Sequence, residues 1–354
     1  MKIKIILTFD YELPLGWVAS YEKGLFEPGQ HLLALANQLS VPIVLFADIC
    51  SAIRFKAWDI SYYDRFKSQI QTALRDNHDV QLHIHPHWMD SEFEHDKIIP
   101  SSKFALSDFK EDPNFSIDEI IRLAYTALHE MCREVDPGYR CLAFRAGGYN
   151  VEPASKTILN VLYDLGIRYE SSVIKGLYQN YSFSKIDYRQ APGANYWKIS
   201  KDGPLHEVTK SPSYLLEYPI TSMPNNFLNI LRRRMTKMRD RKNIQSRKYN
   251  NSGRGFQAIS KKTSWINKIQ MAWNPIVLSF DRDYMTLNML DKIVNYNVKK
   301  FQHEKEIFLT VISHPKSMGK YHLNLMKDFV LLMKKKYGDD LSFVTYRSIS
   351  DKNR

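Results

Sequence analysis

Four short clusters in this chain combine residue types that can move protons or hold a cation: Asp10-Tyr11-Glu12, His83-Ile84-His85-Pro86-His87-Trp88, Arg145-Ala146-Gly147-Gly148-Tyr149 and His314-Pro315. Two carboxylates bracketing one aromatic allow a division of labour in which one acid binds a cation and the other carries a proton. Five of the eleven histidines fall between His78 and His95, and three of them alternate within five residues. Neutral imidazoles at i and i+4, here His83 and His87 around the turn at Pro86, can converge on one metal, and Trp88 can wall such a site. Arg145 precedes two glycines that would let backbone N–H groups approach a ligand closely.

These clusters need a scaffold that brings them together. Short β-rich apolar runs recur at 3–9, 42–47, 80–83, 141–144, 167–170, 214–220, 307–313 and 341–345, and helical periodicity falls between most of them, at 28–38, 63–75, 116–135, 153–165, 284–300 and 321–336. Ser116-Ile117-Asp118-Glu119 reads as a capping box, and Glu152-Pro153 places a proline at a helical first turn. Alternating strand and helix implies parallel strands joined by crossovers, and about eight units point to a closed α/β barrel. An open doubly wound sheet is the second choice, and no Gly-x-Gly-x-x-Gly follows any strand to favour it. In a barrel the chemistry lies at the C-terminal strand ends, and each cluster above, with Asp48, follows one of the apolar runs.

The order of these motifs resembles that of the polysaccharide deacetylases, the carbohydrate esterase family 4 type that includes the chitooligosaccharide deacetylases. Thr8-Phe9-Asp10 is similar to the first motif of that family, His83 and His87 to its histidine pair, Phe144-Arg145 with Tyr149 to its third, and Ile312-Ser313-His314 to its last. The resemblance implies a distorted (β/α) barrel of seven to eight parallel strands. It also implies Asp10 as catalytic base, His314 as catalytic acid, Arg145 in the catalytic group, and Glu12, His83 and His87 holding a divalent metal, zinc above all. Tyr149, Trp88 and His85 are the expected substrate contacts, with Tyr196 and Trp197 as further aromatic candidates for stacking on sugar rings. Three departures stand out. The family's consecutive Asp-Asp becomes Asp10-Tyr11-Glu12, the third motif lacks the commoner proline, and the acid that orients the arginine is either Glu170 or Asp187. The implied reaction is removal of an N-acetyl group from an amino sugar. Hydrolysis of a small amide or cyclic ureide by the same machinery, and a decayed glycan-binding or membrane-associated protein, are the alternatives.

The 354 residues are 44% hydrophobic and 25% charged, which suits one large core and excludes disordered and fibrous classes. No run approaches the roughly 18 apolar residues of a membrane span, and the first ten residues turn polar too soon for a signal peptide, so a cytoplasmic protein is expected. Cys50, Cys132 and Cys141 show no metal or redox spacing and read as scattered reduced thiols.

Charge is concentrated. Of the net +12, residues 231–262 contribute +11, from twelve Lys or Arg against Asp240 alone. A near-neutral body with one basic segment argues against a protein built to coat nucleic acid. Residues 1–354 therefore read as a single catalytic barrel with a basic insertion at 224–262. Within it, 227–248 forms an expected amphipathic contact with an anionic membrane, at the inner face of the cell membrane.

Overall fold

The computed structural model describes residues 1–14, 20–94, 97–181, 184–227, 229–231, 235 and 270–352. Most of the basic segment, including Arg232 to Arg234 and 236–262, lies outside the described residues.

The main sheet is built from β1 (Lys2–Tyr11), β2 (Val44–Asp48), β3 (Asp79–Ile84), β4 (Ala143–Ala146), β5 (Tyr169–Glu170), β6 (Trp197–Ser200), β7 (Tyr214–Glu217), β8 (Glu306–Ser313) and β9 (Leu341–Phe343), all but β6 on the expected apolar runs. Across the sheet the order is β6-β7-β5-β4-β3-β2-β1-β8, with β9 also paired to β1. All neighbours are parallel except β6, which runs antiparallel to β7 at the edge. Beyond β7, Ile220 bridges Ile174 on one side and Thr310 of β8 on the other, so the two ends of the curled sheet meet. This is the distorted barrel expected from the strand count, not an open doubly wound sheet.

Helices α1 (Glu27–Leu39), α2 (Ile49–Trp58), α3 (Ile60–Arg75), α4 (Ile117–Arg133), α5 (Ser155–Asp164), α6 (Leu287–Lys300) and α7 (Lys320–Tyr337) connect the strands, and α8 (Tyr346–Lys352) follows β9. Six of these eight follow the expected periodicity; α2, α8 and strand β6 were not legible in it. The capping box at α4 is formed: Ser116 Oγ accepts from Glu119 N at 3.2 Å while Glu119 Oε2 accepts from Ser116 N at 2.8 Å. Pro153 does not open α5, which starts two residues later at Ser155.

The strands sort their side chains with a period of two. On β1, Ile5, Leu7, Phe9 and Tyr11 join the outer core against the helices, whereas Ile6, Thr8 and Asp10 alternate with them. Inside the barrel, Tyr346 of α8 packs its ring 5.5 to 6.1 Å from Tyr169, Phe46 and Tyr218. This aromatic plug closes one end and leaves the other end, where the strands terminate, to polar residues. Cys50, Cys132 and Cys141 are buried free thiols. No helix among the described residues is long and apolar enough to cross a membrane.

Candidate metal and catalytic site

Because β1, β2, β3, β4 and β8 are mutually parallel, Asp10, Glu12, Asp48, His83, His85, Arg145 and His314 all emerge at one end of the barrel. The spacing decides which of them meet. Asp10 and Glu12 are two residues apart at the end of an extended strand and therefore face the same way. His83 and His85 obey the same rule at the end of β3.

Glu12 Oε2 lies 3.0 Å from His83 Nε2 and is also in contact with His85 Nε2. Glu12, His83 and His85, all buried, present ligand atoms within 4.8 Å of one another. The structure thus pairs His83 with His85 and not, as expected, with His87. Pro86 opens a 3-10 turn, Pro86–Asp90, that ends the strand before His87. The His87 ring lies 5.6 Å from that of His85 and packs, tilted, 4.8 and 5.4 Å from Trp88 and Phe104, and its Nδ1 is buried with no partner among the described residues.

Trp88, an expected substrate contact, is buried in the same turn. It is 1% exposed, and its indole N–H donates to Asp48 Oδ2 at 2.8 Å, while Asp48 Oδ1 accepts from His85 N at 3.2 Å. Asp48 thereby ties the turn that carries His85 to β2. Gly147 is needed where it stands, since a Cβ there would fall 2.6 Å from His85 Nδ1. The space it leaves is taken by the imidazole of His85 rather than by a ligand.

Each of these side chains is held by a second contact. His83 Nδ1 donates to the carbonyl of Arg145, its partner in register on β4, at 2.8 Å, which directs Nε2 toward Glu12. Lys316 Nζ, absent from the expected site, donates to Glu12 Oε1 at 2.8 Å and to Leu13 O at 3.0 Å. Burial pushes the Glu12 carboxyl up, yet His85, Lys316 and the bond from His83 outweigh it and hold it well below the usual carboxylate range. Burial lowers His83, but Asp10 and Glu12 raise it further, to about 9.

Asp10 is 2% exposed, and its Oδ1 accepts from Arg145 Nη1 at 2.7 Å. Arg145 is fully buried over the Phe46 ring and spends its remaining donors on Thr8 Oγ1, Ser171 O and Ser171 Oγ. Neither candidate acid orients it. Glu170 alternates with Ser171 on the chain and bonds Ser172 on the other side of the strand, and Asp187 pairs with Arg189 at the surface.

His314 Nε2 lies 3.6 Å from Asp10 Oδ2 and 3.7 Å from Glu12 Oε1, and its Nδ1 meets Asp281 Oδ2 at 2.6 Å. Burial would lower His314, but Asp281, Asp10 and Glu12 together raise it above the ordinary histidine value. Asp281 itself is held well below the usual range by His314 and Arg282 against its burial. Asp281 was missed from sequence. Its signal was the run Leu278-Ser279-Phe280-Asp281, which repeats the pattern Leu7-Thr8-Phe9-Asp10.

Tyr149 is half-buried beside this group with a left-handed backbone, φ +65°, following Gly148 at φ +60°. Tyr196 is remote from it: its ring lies 5.3 and 5.4 Å from Tyr218 and Phe308, and Trp197 is 3% exposed.

No protein-family model and no curated protein matches this chain. Among solved structures, one described as a probable polysaccharide deacetylase from Pseudomonas aeruginosa PAO1 aligns over 99% of this chain and 90% of its own, with a TM-score of 0.50 and 13% identity. A structure described as Puue allantoinase covers 99% of this chain and 89% of its own, with a TM-score of 0.49 and 11% identity. A family 4 carbohydrate esterase from Streptomyces lividans, in complex with acetate, aligns over 49% of this chain and 62% of its own, with a TM-score of 0.27 and 18% identity. At such identities the likeness is one of fold: this chain shares the curled, mostly parallel sheet of the Pseudomonas aeruginosa structure.

Proposed function

We propose that this chain is a metal-dependent hydrolase that removes an N-acetyl group from an amino sugar in a cell-surface glycan or its precursor. The observation that carries the reading is the placement of two proton-handling groups, Asp10 and His314, beside one buried Glu12, His83 and His85 set. That set suits a divalent ion, because both imidazoles turn Nε2 to one carboxylate oxygen and two histidines with one glutamate are a donor set of catalytic zinc. A zinc ion held by Glu12, His83 and His85 would supply Lewis acidity, lowering the pKa of water to about 7 and polarising an amide carbonyl.

The remaining work falls to the chain itself. Arg145 occupies Asp10 Oδ1, which leaves Oδ2 to accept the proton of the attacking water. His314, kept protonated by Asp281, gives its proton to the sugar nitrogen as the C–N bond breaks, since an unprotonated amide nitrogen is a poor leaving group. Backbone N–H groups at the Gly148–Tyr149 turn serve the developing oxyanion, a single good donor contributing about 3 to 4 kcal/mol. Acetate and a free amine leave. The substrate in this reading is a precursor assembled in the cytoplasm at the inner face of the membrane.

The test is acetate release by the zinc-loaded protein from N-acetylated chito-oligosaccharides. Asp10→Asn should abolish release at unchanged zinc content, and full activity in that variant would remove the base assignment. Turnover of allantoin without acetate release from any acetylated sugar would move the reading to ureide hydrolysis.

A further inference from the structure

The chain makes one long excursion from the barrel, between the short strands Ser222–Met223 and Ile276–Val277, which pair antiparallel. Its root lies at the catalytic end. Thr221 N donates to Thr310 O, Leu278 N to Thr221 O and Ile312 N to Leu278 O, so residues 221 and 222 run alongside β8 toward His314. Four residues after the return strand stands Asp281, which holds His314. Two asparagines clamp the root: Asn225 Nδ2 donates to Ala272 O at 3.1 Å, and Asn274 exchanges bonds with Tyr178 at 2.8 and 2.9 Å.

The outgoing chain then turns helical. Asn226 Oδ1 accepts from Asn229 N at 2.8 Å, and the Asn226 carbonyl accepts from Ile230 N at 3.0 Å, an N-cap. Phe227, Leu231 and Met235 follow at four-residue intervals, the spacing of one helix face, and are 60%, 38% and 66% exposed. Trp273, on the returning chain beside Asn225, is 51% exposed. Four large apolar side chains exposed on one excursion mark an interaction surface. The same excursion carries, by sequence, twelve Lys or Arg against one acid between 231 and 262. An apolar stripe with an interfacial tryptophan and a cationic flank is the composition that anionic lipid surfaces bind.

We infer that Phe227, Leu231, Met235 and Trp273 dock the protein on an anionic bilayer with the catalytic end of the barrel toward the lipid, so that the preferred substrate is an acetylated sugar carried on a lipid. The substrate half of this inference rests on the deacetylase reading; the docking half does not.

The experiment is co-sedimentation of the full chain with phosphatidylcholine vesicles made with and without phosphatidylglycerol, comparing wild type with the triple variant Phe227→Ser, Leu231→Ser, Met235→Ser. Wild type should pellet with the anionic vesicles only, and the variant should bind at least about tenfold more weakly. Binding should also fall as salt rises toward about 1 M, where screening extends only about 3 Å. Acetate release is read in parallel from a soluble chito-oligosaccharide and from an acetylated glycolipid in the same vesicles. The variant should keep the first and lose the second by about tenfold or more. Equal pelleting by both proteins, or no pelleting by wild type, overturns the docking. Equal loss of both substrates overturns the lipid-linked assignment. Vesicle binding as described with no acetate from either substrate leaves docking in place and refutes the deacetylase reading.

Discussion

Replacing either His85 or His87 by leucine separates the two ways in which this histidine cluster can bind a metal. Leucine keeps much of the imidazole volume and removes both nitrogens, so packing changes little in either variant. His85 contributes one of three ligand atoms and touches Glu12 directly. Losing even an outer-shell partner of a metal ligand costs 10- to 100-fold in affinity. Losing the ligand nitrogen itself should exceed the upper figure, weakening zinc by more than about 100-fold, or about 2.7 kcal/mol. His87 lies nearby, its ring 5.6 Å from that of His85, and packs on Trp88 and Phe104, contacts of about 0.5 to 1.5 kcal/mol each. Giving up both to take the place of His85 would cost about 1 to 3 kcal/mol before any metal is bound. His87→Leu also removes a buried nitrogen with no partner among the described residues, so its stability should equal or exceed that of wild type. The assay is competition for zinc between the metal-stripped protein and a chromophoric chelator, with metal per chain from elemental analysis. The expected outcome is near-wild-type affinity in His87→Leu, within about threefold, and collapse in His85→Leu. Zinc retained in His85→Leu and lost in His87→Leu would refute the strand-geometry argument and restore the i, i+4 pair.

Three other outcomes follow from the same geometry. Asp281→Asn should lower kcat by about 100-fold or more at unchanged zinc content, since it removes the carboxylate that keeps His314 protonated and aimed; a loss under threefold would refute the role. Arg145→Met leaves Asp10 buried without its partner and should cost about 3 to 5 kcal/mol by urea unfolding, and a cost under about 1 kcal/mol would show that the pair is dispensable. Burial pushes the carboxyl of Asp79 up to about 6 despite bonds from Gln81 and Arg347 N. Its folded state holds the proton more tightly than the unfolded chain does, so stability falls as pH rises from about 4 to about 6, by at most about 3 kcal/mol. Asp79→Asn should flatten that slope, read from unfolding midpoints across the window; an unchanged slope would assign it elsewhere.

Short β-rich apolar runs, followed by Pro86 and by the glycines after Arg145, were enough to locate the strand ends and to gather Asp10, Glu12, the histidines, Arg145 and His314 on one face. These are local signals, with a period of two along a strand and of 3.6 along a helix, and they are written in contiguous residues. Element β6 escaped because it is a four-residue edge strand whose buried and exposed positions alternate without a long apolar run. Helix α2 escaped because Asp48 passes directly from strand to helix with no capping bond to mark the boundary.

What sequence spacing could not decide was contact between distant elements. The partner of a side chain across the barrel depends on register and curvature, which follow from the packing of the whole sheet. Thus Ser171, and neither Glu170 nor Asp187, meets Arg145, because a one-residue step along β5 turns a side chain to the opposite face. Asp281 reaches His314 after an excursion of more than fifty residues, and Lys316 reaches Glu12 from the far end of the chain. His85, one strand period from His83, contacts Glu12, and His87 does not join that set, because the turn at Pro86 ends the strand between the two histidines. Residue type and local period thus determined which groups stand at the rim of this barrel, and only the closed sheet decided which of them touch.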